Sequence, residues 1–381
     1  MQQNLIKAKL KNLFGICLFL ISGTAFPILN NAILNFNVPW KNNVEIQFRK
    51  PWFQNCMMFV CMCVFLIFYF TKNKCQCKKE TINSSEMVGF RLFRFCSIPS
   101  IIFIIATILQ NYGLLYMSTT VWQLFHGFQL LFTTLFAVTY RKQQLFLYDW
   151  LGLFVTILGM CFAGVGIMLR QESEGEVSKV FIAFILVIFS HGLKGFQTIL
   201  EEKLTHDYNV SPIDLIGIEG FWGSYITILI CIPICNILNP TLGVGLYENT
   251  GEAFAMLKSS KKLTILLICY MITITIYSYG GVLVTSQESA VHRSLYELAR
   301  PFLVWIASTL TYYITKSPLY GDKLDKYSAF ELVGFGICVL GIIIYNRIWK
   351  LPCFVYSGTD EETSELMSLN NELVQENNNS L

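Results

Sequence analysis

The sequence predicts an all-α polytopic membrane protein, and three features of the chain support this fold class. Of its 381 residues, 54% are hydrophobic, and the mean hydropathy is +0.51. Only 14% are Asp, Glu, Lys or Arg, whereas a soluble domain carries about 25%. Ten stretches are apolar over roughly the 20 residues that cross a bilayer. So little charge could not cover a soluble surface, which excludes a soluble enzyme, a disordered chain and a nucleic-acid-binding domain.

The apolar stretches follow one another after short connections. They are 13–33, 52–71, 96–116, 119–139, 149–169, 179–199, 215–235, 263–284, 299–315 and 331–349. We predict a cytosolic N-terminus over 1–12, a first five-helix repeat over 13–169 and a second over 179–349. Residues 351–381 contain six acidic residues and no Lys or Arg. We expect this segment to be a disordered, acidic cytosolic tail.

The positions of Lys and Arg predict the orientation. An even number of spans places both termini on one side of the membrane. The first two segments on that side contain nine Lys and Arg residues, and the loop between them contains three. Cytosolic loops are enriched in these residues, so we expect both termini to lie in the cytosol.

Weak internal similarity predicts that the ten helices form two repeats. Asn111-Tyr112-Gly113 ends the third span, and Ser278-Tyr279-Gly280 lies at the corresponding place in the eighth. Gly152 and Gly159 in the fifth span recur as Gly334 and Gly341 in the tenth, with the same spacing. Because five is odd, the second repeat is inverted relative to the first. Inverted repeats around a central site are a common architecture of secondary transporters, so Asn111 and Tyr279 are candidate cavity residues.

Polar residues inside the fourth and sixth spans predict a cavity. Ionisable groups are costly in a membrane and usually mark a pathway or a buried pair. Gln123 and His126 lie in the fourth span, and His126 could titrate near neutral pH. In the sixth span, Lys194, Gln197 and Glu201 fall on one helix face at i, i+3 and i+7. We expect Lys194 and Gln197 to line a cavity.

The charged residues that end the sixth span and begin the seventh have two interpretations. We interpret Glu201, Glu202 and Lys203 as a solvated helix end. Glu219 is either a cavity residue or an interfacial carboxylate at a helix start, where the helix dipole favours negative charge.

The segment that enters the ninth span carries a row of charges. Arg293, Glu297 and Arg300 share one helix face at i, i+4 and i+7. We predict that Arg293 lines the cavity and that Glu297 and Arg300 form a gate or a structural ion pair. Pro301 follows directly and is expected to interrupt the helix there. The excess of cationic groups favours an anionic solute.

The motifs together resemble the drug/metabolite transporter superfamily, and within it the nucleotide-sugar-transporter-like solute carrier family 35 (subfamily F, member 6 group). The resembling stretches are Phe48-x-x-Pro51-x-x-Gln54, Gln123-Leu124-Phe125-His126-Gly127, Leu200-Glu201-Glu202-Lys203, Glu219-Gly220-x-x-Gly223, and Ser289-Ala290-x-x-Arg293 with Arg300 and Trp305. The resemblance implies ten helices, inverted five-helix repeats, cytosolic termini and an endomembrane or lysosomal location. The family pattern has Arg where this chain has His126, so the charge at this position would depend on pH.

The prediction is therefore a secondary transporter that moves a small solute by alternating access, with an anionic solute of the nucleotide-sugar or organic-anion class favoured. One alternative is an amino-acid or peptide exporter of the chloroquine-resistance-transporter type. Another is a non-transporting membrane partner protein. We expect no enzyme activity, because no span contains a pair of Asp residues and the His residues lack ligand spacing. We also expect no cofactor and no metal site.

The tail suggests a location. Glu362, Leu366 and Met367 approximate an acidic dileucine sorting signal. We expect an endomembrane protein of the lysosome, late endosome or Golgi. We expect its partners to be a small-molecule substrate and the lipid bilayer, and we expect no nucleic-acid partner. The sequence leaves open whether the protein forms a homodimer.

Overall fold

The computed structural model describes residues 2–34, 36–39, 45–67, 93–114, 126–170, 177–238, 247–316, 324 and 328–348. Within these residues the fold is all-helical apart from one short hairpin, which confirms the predicted class. The helices are α1 (Gln2–Leu34), α2 (Pro51–Met62), α3 (Ser97–Leu114), α4 (His126–Thr139), α5 (Leu147–Arg170), α6 (Val177–His206), α7 (Pro212–Ile226), α8 (Ile232–Ile237), α9 (Thr250–Ser259), α10 (Lys261–Gln287), α11 (Ala290–Thr315) and α12 (Ser328–Tyr345). A π-helical segment, Thr227–Cys231, joins α7 to α8.

Many of these helices are long enough to cross a membrane. Among the described residues, six segments have the required length and hydropathy: Asn12–Leu34, Phe93–Gln110, Phe181–His206, Pro212–Ile237, Lys261–Gln287 and Ser328–Tyr345. Two shorter apolar segments, Pro51–Ile67 and Leu147–Ala163, coincide with predicted spans. The chain is an integral membrane protein. The predicted spans 119–139 and 299–315 overlap α4 and α11, and the total of ten stays a prediction.

A small hairpin connects α1 to α2. Strand β1 (Asn37–Pro39) pairs antiparallel with β2 (Glu45–Gln47), with Asn37 opposite Gln47. We call the end of the helix bundle that carries this hairpin the hairpin end. The other end, where α1 begins, is the terminus end.

The structure describes the N-terminal part of the chain but not the C-terminal tail. The sequence predicts a separate N-terminal segment over residues 1–12. In the structure, helix α1 begins at Gln2 and continues into the first span. The predicted tail, 351–381, lies outside the described residues.

Side-chain caps fix where several helices begin. The first backbone N–H groups of a helix have no acceptor within it, and Ser or Asn at the N-cap supplies one. The Ser211 hydroxyl oxygen accepts from the Asp214 N–H at 3.3 Å before α7. Ser289 accepts from the His292 N–H at 3.3 Å before α11, and Ser260 caps α10 in the same way.

The structure corrects the expectation for Pro301. Helix α11 continues through Pro301 to Thr315 instead of breaking there. Proline has no N–H, so the carbonyl of Glu297 lacks its i+4 donor. Helix α11 packs against α1, α4 and α12, and this packing holds the helix together across the missing bond.

Helices α5 and α12 form a very close pair, and glycines make it possible. A Cβ on Gly152 would lie 2.8 Å from the backbone nitrogen of Tyr345. A Cβ on Gly159 would collide with the backbone of Cys338, and one on Gly334 with that of Ala163. The two backbones are therefore in direct contact. Small residues allow this approach between helices in membranes.

The other helices surround a central space. Helix α1 packs on α10 and α11, α3 on α6, α4 on α6 and α11, and α7 on α2 and α3. Large apolar side chains such as Phe154, Ile185, Leu229 and Ile272 are exposed on the outer faces. An apolar surface of this extent suits contact with lipid.

Candidate functional site

A cavity of about 210 Å³ lies in the middle of the bundle, between α1, α2, α3, α4, α6, α7, α10 and α11. Its walls combine aromatic rings with ionisable groups. Phe26, Phe59, Phe103 and Tyr277 contribute the rings. Because charged groups are costly at membrane depth, a cavity that gathers them is the candidate site.

Helix α6 presents the predicted row of polar residues to this cavity. Lys194, Gln197 and Glu201 all line it. The Gln197 Nε2 donates to Glu201 Oε1 at 2.7 Å, and the Arg293 guanidinium binds the other carboxylate oxygen of Glu201. Glu201 is only 1% exposed. The sequence-based interpretation of Glu201 as part of a solvated helix end is wrong, because α11 supplies a buried cation opposite it.

Helix α11 presents the second predicted row. Glu297 receives one hydrogen bond on each carboxylate oxygen, from the Gln129 Nε2 at 2.6 Å and from the Tyr277 hydroxyl at 2.8 Å. The Arg293 Nε lies 4.0 Å from Glu297 Oε1. Arg293 thus stands between two carboxylates, and Glu297 joins α4, α10 and α11.

Arg300 joins the same network through neutral partners. Its Nη1 donates to the Tyr277 hydroxyl at 3.0 Å, and its Nη2 lies 2.8 Å from His126 Nε2. Arginine can only donate, so His126 accepts at Nε2 and is neutral in this state. The Arg300 guanidinium also lies over the Phe26 ring, 5.3 Å from its centre, a favourable cation–π geometry. The His126 and His191 rings are 4.9 Å apart.

Several polar groups at the cavity lack a hydrogen-bond partner among the residues that the structure describes. The Lys194 ammonium contacts the Phe103 ring, 5.6 Å from its centre, and has no hydrogen bond or ion pair there. The Gln110 Nε2 and the Glu219 Oε1 are buried without a hydrogen-bond partner. Buried polar atoms in native proteins are rarely left unpaired, so these atoms are candidates for contact with a solute.

At the terminus end of the bundle, α6 and the start of α11 are joined by contacts that the sequence did not predict. Glu202 is 5% exposed and accepts from the Ala290 N–H at 3.1 Å. The Arg141 Nε lies 3.8 Å from the Glu202 carboxylate. Glu202 therefore caps α11 and is not solvated, whereas Lys203 contacts the Tyr140 hydroxyl at an exposed position.

Some predicted site residues lie elsewhere or outside the described residues. Tyr279 does not line the cavity; its ring stacks on Phe65 at 5.7 Å. Tyr277, two residues earlier, takes the central position. Asn111 belongs to α3, but its side chain is not described. Four further predicted residues lie outside the described residues: Gln123, Glu362, Leu366 and Met367.

Three cationic and three acidic side chains line the cavity among the described residues. Lys194, Arg293 and Arg300 face it, and so do three glutamates, Glu201, Glu219 and Glu297. Among the described residues, no group of three or more His, Cys, Asp or Glu side chains could hold a metal ion. The described lining therefore offers hydrogen-bonding groups and aromatic rings to a solute.

Comparison with known proteins identifies the family. A family model described as purine nucleobase transmembrane transport matches residues 15–211, more than half of the chain. The chain belongs to this purine nucleobase transport family. It is a membrane transporter, and the resemblance to solute carrier family 35 is confirmed by its relatives.

Curated relatives carry the solute carrier name. Solute carrier family 35 member F6 of Mus musculus is 26% identical over 312 residues, covering 77% of this chain and 79% of the relative. The Rattus norvegicus protein of the same name is 25% identical over 299 residues, covering 77% and 75%. An uncharacterized protein of Schizosaccharomyces pombe is 25% identical over 259 residues, covering 68% and 75%.

A solved structure shares the fold of this transport-family member. The crystal structure of a protein covers 90% of this chain and 98% of its own, with a TM-score of 0.57 and 10% identity. At that identity the likeness concerns the fold alone.

Proposed function

We propose that this protein is a secondary transporter that carries a small, uncharged, planar solute of the purine nucleobase class across an endomembrane by alternating access. The description of its family suggests the substrate class. The chemistry of the cavity supports it independently, as follows.

The observation that carries the proposal is the set of unsatisfied polar groups at the cavity. Lys194 and Gln110 offer donors, and Glu219 offers an acceptor. A purine base has both donors and acceptors on its edges and flat apolar faces. Its edges would satisfy the unpaired atoms, which otherwise cost about 1–3 kcal/mol each. Its faces would pack against aromatic walls such as Phe103 and Phe59.

Cavity size also favours a small solute. Pockets for drug-sized ligands enclose about 300–1,000 Å³, whereas this cavity encloses about 210 Å³. A nucleotide sugar consists of a base, a diphosphate and two sugar rings and is much larger than a base alone.

One observation favours a second candidate, the small organic anion predicted from the sequence. The Lys194 ammonium has no acidic partner among the described residues, so an anionic group could bind it. An amino-acid substrate, the other transport alternative, would need a carboxylate and an ammonium site close together. Glu201 is already paired with Arg293, but Glu219 has an unpaired carboxylate oxygen at the same cavity, so the binding screen below includes amino acids.

The packing of the helices supports an inverted-repeat mechanism. Helices α1 to α5 would correspond to α6, α7, α10, α11 and α12. The contact of α1 with α10 then has its counterpart in that of α6 with α3, and the contact of α4 with α6 in that of α11 with α1. Rocking of one repeat against the other would expose the cavity to each side in turn.

The proposed membrane orientation and compartment are those predicted from the sequence. Both termini face the cytosol, so the hairpin end faces the lumen of a lysosome, late endosome or Golgi compartment. The tail would supply the sorting signal. No catalytic role is proposed, and a homodimer stays a prediction. A non-transporting role would leave the central cavity without a purpose.

Binding and flux together test the proposal. The purified protein is screened by thermal shift against purine bases, nucleotide sugars, organic anions and amino acids, at two pH values. We expect stabilisation by purine bases and uptake of a radiolabelled purine base into proteoliposomes. Stabilisation and uptake confined to organic anions would support the second candidate, and those confined to nucleotide sugars or amino acids would contradict both.

A further inference from the structure

A buried carboxylate from the second half of the chain caps a helix of the first half at the hairpin end. Glu248 lies just before α9 and is 3% exposed. Its Oε2 accepts from the Trp52 N–H at 2.9 Å and its Oε1 from the Phe53 N–H at 2.7 Å. These are first-turn N–H groups of α2, and Lys50, the N-cap residue, makes no side-chain cap bond. A residue 196 positions away thus supplies the cap.

Neighbouring contacts join the same two segments. Lys50 Nζ pairs with Glu252 on α9 at 3.0 Å. The Phe53 ring packs edge-on against Phe254 of α9, with 5.0 Å between ring centres. The start of α2 is therefore held against residues 247–259 by a cap, an ion pair and a ring contact.

Helix α2 also forms one wall of the cavity. Asn55, Met58, Phe59 and Met62 all line it. A movement of the start of α2 away from residues 247–259 would displace this wall at the hairpin end. The contact between Glu248 and α2 is thus placed where a gate on that side would have to open.

The environment of Glu248 opposes its charge. Burial raises the pKa of Glu248 from 4.5 to about 7, against the lowering effects of the two N–H bonds and of Lys50. Among the described residues, the other ionisable groups facing it are Cys56 of α2 and Cys235 of α8, with Glu252 of α9 beyond Lys50. Neither thiol can neutralise a buried carboxylate.

The direction of the pH effect follows from linkage. A carboxyl group released into water returns to its ordinary pKa of 4.5, whereas the capped group has a pKa of about 7. The capped state therefore binds the proton more tightly. Its stabilisation is complete below the lower pKa and is lost as the pH rises through the upper one.

We propose that Glu248 is a proton-controlled latch: its contact with the start of α2 closes the hairpin end of the cavity in acid and releases it near neutral pH. The role of this contact as a gate rests on the proposed transport function. The pH dependence of the contact itself does not. In the proposed orientation, the latch faces the lumen. An acidic lumen would keep that gate shut.

Hydrogen exchange at two backbone amides tests the latch without any solute. In the purified full-length protein in lipid nanodiscs, exchange at Trp52 and Phe53 is measured by mass spectrometry at about pH 5 and about pH 8 and corrected for intrinsic rates. We expect about tenfold or greater protection in acid, because the capped state has the higher pKa and is therefore favoured when Glu248 is protonated.

Matched variants identify the responsible group. Glu248→Gln keeps one uncharged acceptor and cannot titrate, so the protection that remains at these amides should be the same at both pH values. Glu248→Ala should leave them unprotected at both. Glu252→Gln removes the neighbouring, more exposed acid and should keep the wild-type pH dependence.

The latch is overturned if wild-type protection is the same at both pH values, or if Glu248→Gln retains the pH dependence. Should a variant fail to fold, the wild-type comparison still decides. Uptake assays test transport separately from the latch. Exchange that depends on pH without uptake of any solute would contradict the proposed function but support the latch. Uptake of a solute with the same exchange at both pH values would support the proposed function and contradict the latch.

Discussion

The guanidinium group of Arg293 binds the buried carboxylate of Glu201, 92 residues earlier in the chain, and joins α11 to α6. Glu201 has no other cationic partner among the described residues. Because the pair is buried, each member makes the burial of the other tolerable.

Loss of Arg293 should therefore unfold or destabilise the protein. Arg293→Ala leaves Glu201 as an unpaired buried charge, and breaking such a pair costs about 3–5 kcal/mol. We expect a lower thermal midpoint and less monodisperse protein in size-exclusion chromatography. The double variant Arg293→Met with Glu201→Gln removes both charges and should recover most of the stability. A double variant that is no more stable than Arg293→Ala would argue against this pairing.

Lys194 should respond differently, because no acidic group among the described residues lies within ion-pair distance of its ammonium. Lys194→Met keeps the length of the side chain and removes the charge. We expect a normal thermal midpoint and a loss of solute uptake of about tenfold to a hundredfold, since a hydrogen bond to a charged group contributes about 1.5–3 kcal/mol. Lys203→Met, at the surface of the same helix, is the control and should transport normally. Normal uptake by Lys194→Met would remove Lys194 from the site.

Two tyrosines on α10 provide a matched pair for the hydroxyl network. Tyr277 donates to Glu297 and accepts from Arg300, whereas Tyr279 stacks on Phe65. Tyr277→Phe should lower uptake about tenfold by freeing two charged groups at the cavity. Tyr279→Phe should have little effect. Uptake and thermal midpoint are measured for both, and equal effects of the two variants would contradict the assigned roles.

The contact between α5 and α12 can be tested with two glycines of one helix. A Cβ at Gly334 would collide with the backbone of Ala163, while one at Gly336 meets nothing within 4 Å. Gly334→Ala should destabilise the protein by about 1–3 kcal/mol through overpacking. Gly336→Ala should be neutral or stabilising by about 0.4–1 kcal/mol, because it restricts the unfolded chain. Thermal unfolding in detergent compares them, and the opposite order would mean that the helices are not in backbone contact.

Helical periodicity explains why parts of the site could be predicted. The spacing of Lys194, Gln197 and Glu201 places them on one face of any helix, and the structure brings all three to the cavity. Arg293, Glu297 and Arg300 follow the same rule. The seven-residue glycine spacing indicates related helices, and the structure packs those helices against each other at these glycines.

The partners of these residues could not be predicted, because they come from distant segments. Nothing local distinguishes Tyr277 from Tyr279, and only the packing of α10 turns the first towards Glu297. In the sequence, Glu201 and Glu202 look like a solvated helix end. In the structure, the start of α11 contacts both carboxylates. Glu248 is an ordinary loop carboxylate in the sequence, and its partner lies in another part of the chain.

The balance of charges around the cavity has an electrical consequence. Moving one elementary charge through a membrane potential of 100 mV changes the energy by about 2.3 kcal/mol. Three cationic and three acidic side chains face the cavity among the described residues. When all six are ionised, the field acts on them with nearly equal and opposite forces as the helices move. Carriage of an uncharged base without a coupled ion would then produce no current. Its rate would be the same in a polarised membrane as in one without a voltage, and the gradient of the solute alone would set its direction.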